Sequence, residues 1–244
     1  MGALIFDGVN LSDYMHAECA RPLMASPAVS TTTVAGRDGF EVSSVKLESF
    51  DVGVECYVLP DFPLDDFPPK IRDGIRRADA IKRIVAAKLY RKSKRPLIFD
   101  DDPTRYNMAI VTGVSDPERI GYVDYFTVTF KCDPISYAID ETERSLVSGA
   151  NSLVVNGTLP TFPTFEITAN SNAVTLTKGD GQLVKAECSS GSVVRFDMER
   201  KRATVNGSDV RVALPSRFFR LDPGDNTVRV AGGSGVVRYR EAWL

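Results

Sequence analysis

A chain of 244 residues with ordinary hydrophobic and charged fractions has room for one large β domain or two smaller ones, and either can bury an adequate core. With 30 lysines and arginines against 32 acidic residues the net charge is −2, which removes any overall reason to expect nucleic acid or an anionic membrane as partner. Four scattered cysteines (Cys19, Cys56, Cys132, Cys188) without a C-x-x-C pair, beside the single histidine His16, argue against structural zinc and for free thiols in a reducing compartment.

The N-terminus lacks a basic n-region, its apolar run is too short for a secretory signal, and Phe6 stands where myristoylation requires Ser or Thr. No stretch reaches the apolar length of a membrane span. Ala3-Leu4-Ile5-Phe6 followed by Asp7-Gly8 predicts a short strand closed by a turn with positive φ at the glycine. The small and β-branched residues from Ala28 to Val34, then Gly36-Arg37-Asp38-Gly39, predict a hairpin. Arg37 and Asp38 at its tip are either a solvated loop end or a contact with a neighbouring subunit.

Val45 to Leu59 predicts one long strand, bent near Gly53, with Val52, Val54, Cys56 and Val58 on one side and Glu55 and Tyr57 on the other. Pro60, Pro63, Pro68 and Pro69 make the next segment an irregular connection. A helix is expected over about 70–92, where Ile71, Ile75, Ala78, Ile81, Val85 and Leu89 form one apolar stripe. Its other face is basic, with Lys70, Arg72, Arg76, Arg77, Lys82, Arg83 and Lys88, and Arg91, Lys92, Lys94 and Arg95 follow. Without aromatic interleaving or a second basic element, that face reads as solvated or as a protein interface before it reads as a nucleic-acid surface.

Arg95 to Phe99, the turn Asp100-Asp101-Asp102-Pro103, and Arg105 to Val111 predict a second hairpin. From Tyr122 to Cys132 the chain alternates strictly, with Asp124, Phe126, Val128, Phe130 and Cys132 on one side. Beyond Pro134 the polar segment Ile139–Gly149 marks a domain boundary. After it, apolar pairs recur every eight to twelve residues or so, the pattern of an all-β sandwich. They run from Val154-Val155 through Phe165-x-Ile167, Phe218–Leu221 and Val228-x-Val230 to Val236–Tyr239, separated by Asn156-Gly157, Gly179-Asp180-Gly181, Asn206-Gly207, Pro223-Gly224 and Gly232-Gly233.

Catalytic chemistry finds little support. His16 has no G-x-S-x-G elbow to serve. Gly232-Gly233-Ser234-Gly235 lacks the lysine of a phosphate loop and precedes a strand. Three consecutive aspartates, Asp100, Asp101 and Asp102, do not have the alternate spacing of a calcium loop. A glycosidase would need two carboxylates across a sugar cleft, for which neither half supplies an evident scaffold.

Several of these motifs, taken in order, resemble the distal tail protein family of long-tailed, non-contractile phages of Gram-positive hosts. The resemblance rests on Phe6-x-Gly8, Gly36-Arg37-Asp38-Gly39, Pro96-Leu97 with Asp102-Pro103-x-Arg105-Tyr106, and Phe130-Lys131-Cys132-Asp133-Pro134. In the second half it rests on Asn156-Gly157-Thr158, Pro163-x-Phe165-x-Ile167, Val205-Asn206-Gly207, Pro223-Gly224-x-Asn226 and Tyr239-Arg240-x-x-Trp243.

The resemblance implies a mainly β protein in two domains. Residues 1–137 would form a ring-forming β domain with the one helix, and residues 138–244 a galectin-like β-sandwich. It implies a structural virion protein, a homohexameric distal tail hub that joins the tail tube to the tail tip or baseplate. Its partners would be the tail tube protein, a tail-tip or tail-associated protein and a receptor-binding protein, with no enzyme activity, cofactor, nucleic acid or membrane. Candidate subunit-interface residues are Arg37, Asp38, Arg76, Arg77 and Arg83, and synthesis would take place in the bacterial host cytoplasm. Two rival readings are a carbohydrate-binding module for a host cell-wall polysaccharide and a cell-wall hydrolase component. The sandwich departs from sugar-binding galectins in having no histidine and in placing Trp243 next to last.

Overall fold

The computed structural model describes residues 4–59, 74–121 and 123–244, with the backbone alone for residues 74–77. Two compact units emerge, Met1–Ser136 with Leu244, and Tyr137–Trp243.

The first unit is organised by one antiparallel sheet. Its strands lie in the order Val9–Asn10, Ile5–Phe6, Arg95–Ile98, Arg105–Val114, Val123–Ala138, Phe50–Val58 and His16–Cys19, and the short Glu118–Ile120 also pairs with Val123–Ala138. The opening hairpin turns through Asp7 and Gly8, both at positive φ (51° and 76°), a pair of left-handed residues that matches the twist of the flanking strands. The second hairpin pairs Arg95 with Ala109 and Leu97 with Asn107. In its turn the Asp102 carboxylate accepts from the Thr104 hydroxyl at 2.7 Å, while Arg21 donates to Asp101 at 2.5 Å and lies 4.7 Å over the Phe99 ring. Asp102 thus serves the turn itself, and Asp101 anchors Arg21.

The two central strands pair Val54 with Val128 and Cys56 with Phe126, so their alternating apolar residues share one buried face. The helix Gly74–Leu89 lays Ala78, Ile81, Val85 and Leu89 into the same core. These four residues recur at steps of three and four, which keeps them on one side of a helix turning every 3.6 residues. Residues 70–73 and the side chain of Ile75 lie outside the described residues.

The expected long strand from Val45 to Leu59 is instead two elements. Glu41–Leu47 pairs with Pro27–Thr32 in a separate two-stranded ribbon, and Phe50–Val58 belongs to the main sheet. The break falls at Glu48-Ser49, where the Glu48 N–H donates to the Ser26 carbonyl at 3.0 Å and closes the base of the ribbon. Gly53 stays in a regular ladder opposite Thr129 and produces no bend.

The second unit is a β-sandwich. One sheet runs Thr142–Leu146, Gly233–Tyr239, Thr164–Ala169, Val193–Asp197, Arg202–Val205 and Ser208–Val210; the other runs Gly149–Val155, Gly224–Ala231, Ala173–Lys178 and Leu183–Glu187. Their inner faces meet in a core that includes Phe165, Ile167, Phe196, Val174, Leu176 and Val230. Asn206 and Gly207 sit at φ 50° and 84° between paired Val205 and Ser208, the expected tight turn.

Three local readings change. The polar segment after Ile139 holds the strand Thr142–Leu146, whose composition suits its place at the edge of the six-stranded sheet. Phe218–Leu221 forms no strand: Phe219 and Leu221 are buried, and the segment contributes one bridge, Leu221 to Thr161. The strand Gly233–Tyr239 begins inside the glycine run because the backbones approach so closely that a Cβ on Gly235 would lie 2.0 Å from the Glu166 carbonyl oxygen.

Candidate assembly surface

The helix carries the densest positive charge in the sequence, and the fold divides that charge in two. Part of it is neutralised within the first unit. Lys82 reaches Asp79 at 2.8 Å and Asp124 at 3.1 Å, and Arg119 holds Asp124 through both oxygens at 2.7 and 2.8 Å. Hydrogen bonds from Arg119, followed by Lys82, hold the Asp124 carboxyl below the usual carboxylate range against the opposing effect of burial. Past the helix end, Arg91 pairs with Asp7 at 2.6 Å and Lys94 with Asp133 at 2.5 Å.

Other cations of this segment are left over. Arg83 is exposed on the helix, Lys88 is half-buried and Lys92 is exposed beyond it; among the described residues none of the three has an ion-pair partner. Arg76 and Arg77 lie on the helix backbone, and their side chains are outside the described residues. Arg37 and Asp38 are elsewhere, in the exposed loop of the ribbon, where Arg37 donates to Glu41 at 2.5 Å. That ribbon exposes Val29, Val42 and Val45, and Val29 stands directly opposite Val45. A two-stranded ribbon without a core of its own is marginal in water, so covering this surface would stabilise it.

A second face is built from residues that the linear sequence does not bring together. On the side of the main sheet away from the helix, His16, Tyr57 and Tyr125 lie in one row, with ring centroids 4.7 and 5.9 Å apart. Glu18 stands opposite Glu55 in the next row. Alternation places Glu55 and Tyr57 on one side of their strand, but strand pairing alone reveals their neighbours.

Among the described residues no three His, Cys, Asp or Glu side chains converge as a metal site. His16 is stacked on Tyr57. Cys56 and Cys132 are buried, and burial pushes both thiols up to about 12.

Residues 10–132 match the family model of the phage tail protein RIFT-related domain, and residues 156–243 match that of the siphovirus-type tail component, C-terminal domain. This chain belongs to the phage distal tail protein family. It is thus a component of a virion tail, and both family domains occur in the order in which its motifs appear. The fold is similar to that of the Dit protein of phage SPP1, with 20% identity, 100% of each chain covered and a TM-score of 0.80. That protein is described as a paradigm of the hub adsorption apparatus in phages infecting Gram-positive bacteria. A lower similarity extends to a chain of the activated baseplate of phage p2, at 8% identity, 96% and 92% coverage and a TM-score of 0.47. No curated protein matches the chain.

Proposed function

We propose that this protein is the distal tail hub, a homohexameric ring that joins the tail tube to the tail tip or baseplate. The carrying observation is that the two family models occupy the two halves of the chain in order. The hub description of the SPP1 protein, which has the same fold, supports the same role.

In this reading residues 1–137 form the ring and contact the tail tube protein. Residues 138–244, a galectin-like sandwich, project outward to receive tail-tip and receptor-binding components. Arg37 and Asp38 on the ribbon and Arg76, Arg77 and Arg83 on the helix belong to the subunit interface. The ribbon's uncovered valines and the outward-facing Arg83 support that assignment. The role is scaffolding without bond-breaking chemistry, by a protein made in the host cytoplasm and assembled onto the tail.

Immunogold labelling of purified virions tests the placement, and native mass spectrometry of the cross-linked tail tip tests the copy number. Label at the tail end far from the capsid and six copies are expected. Label confined to the capsid or spread along the tube would refute the hub role.

A further inference from the structure

The outer face of the main sheet has the chemistry of a docking surface for cations. Its first row runs His16, Tyr57, Tyr125 and Glu118 across four strands, each residue in direct register with the next. Its second row runs Glu18, Glu55 and Thr127. The face is open to solvent: Tyr125 is 42% exposed, Glu18, Glu55 and Glu118 are exposed, and together they line a groove of about 420 Å³.

Two features make this face unlike an ordinary wet one. Like charges directly opposite each other on a sheet are destabilising, yet Glu18 faces Glu55, and neither they nor Glu118 has an ion-pair partner among the described residues. Aromatic faces beside carboxylates also suit a guanidinium or ammonium group twice over, through the ring quadrupole and through charge.

Matching cations exist on the same unit. Arg83, Lys88 and Lys92 have no ion-pair partner among the described residues, and they belong to the helix and its C-terminal extension. The helix lies on the other side of the sheet, sharing a core with Val54, Cys56 and Phe126, the residues that alternate with Glu55, Tyr57 and Tyr125. The helix and its cations are therefore carried on the opposite side of the sheet from these carboxylates.

We infer that the ladder of His16, Tyr57 and Tyr125 with Glu18, Glu55 and Glu118 receives the cations of the helix and its C-terminal extension, Arg83, Lys88 and Lys92, from a second copy of this chain. Such a contact is head-to-tail, the type that closes into a ring when the rotation permits. The inference rests on the ring proposed above and supplies the surface that the helix of each subunit meets.

Sedimentation of the full chain, together with charge exchange, tests it. The pair Glu18→Arg with Glu55→Arg, and separately Arg83→Glu with Lys88→Glu, should each weaken self-association about 10-fold or more at low salt. All four changes in one chain, or an equal mixture of the two double variants, should restore it. Circular dichroism checks folding, and Glu18→Gln with Glu55→Gln provides a milder second variant.

Zero-length carbodiimide coupling of mixed light and heavy-isotope chains should join Lys88 or Lys92 of one copy to Glu18 or Glu55 of another. If the wild type assembles but neither ladder variant changes assembly and no such links form, this docking is wrong and the ring stands. If the wild type neither sediments above the monomer nor gives links between copies at its highest soluble concentration, the ring and the docking fall together.

Discussion

Asp124 and Arg119 form a two-pronged ion pair, with Arg119 Nε and Nη2 donating to the two Asp124 oxygens at 2.7 and 2.8 Å. The Asp124 side chain is only 2% exposed and also holds Lys82 of the helix at 3.1 Å. One carboxylate thus ties the helix, the central strand and the short strand Glu118–Ile120 together. In the sequence Asp124 occupies a position on the apolar side of an alternating strand, where an unpaired charge would be costly.

Asp124→Asn should therefore destabilise the first unit by about 1–3 kcal/mol, less than for a fully buried pair because Lys82 and Arg119 remain partly in water. The pH dependence has a defined sign. The carboxyl is held below its ordinary value of about 3.9. Its contribution is fully present above the unfolded value and is lost as pH falls through the folded one. Urea unfolding of the two proteins should differ most near neutral pH, with the gap closing in acid.

In the sandwich, the Tyr239 hydroxyl donates to the Val154 carbonyl at 2.8 Å, joining the six-stranded sheet to the four-stranded one. Tyr239 is otherwise buried. Tyr239→Phe keeps the ring and leaves that carbonyl without this donor, so thermal unfolding should show a loss of about 1–2 kcal/mol.

Gly235→Ala should cost more, about 2–3 kcal/mol, because its Cβ would collide with backbone and not with a movable side chain. The Gly232–Gly235 run has the same problem at Gly233, where a Cβ would meet the Thr168 carbonyl oxygen at 2.4 Å. Calorimetry should place the loss in the sandwich transition.

Cys56 and Cys132 should resist alkylation at pH 8 in the native protein and react at ordinary rates in denaturant. Both are buried, with thiols pushed up to about 12, so little reactive thiolate forms at that pH. Mass spectrometry after timed labelling would show it. Rapid native labelling of either would contradict the packing described for the central strands.

Much of this molecule is written in local pattern. The alternation of Val52, Val54, Cys56 and Val58 and the three-four spacing of Ala78, Ile81, Val85 and Leu89 determine which side is buried whatever lies opposite, since each periodicity belongs to one backbone geometry. Turn chemistry at Asp7-Gly8 and Asn206-Gly207 is local in the same way.

What only the tertiary structure decided is which distant groups meet. The Asn156-Gly157 motif and the Tyr239–Trp243 ending prove to be one packing site, where Glu241 accepts from both the backbone N–H and the side-chain amide of Asn156 at 2.9 Å. Equally, the basic helix reads as one charged face until Asp7 and Asp124 arrive from elsewhere to claim Arg91 and Lys82. The row of His16, Tyr57 and Tyr125 exists only once three separate strands are in register. Spacing along a chain specifies the face on which a side chain lies, whereas its partner across a sheet depends on strand order, which the pattern of any one strand does not encode.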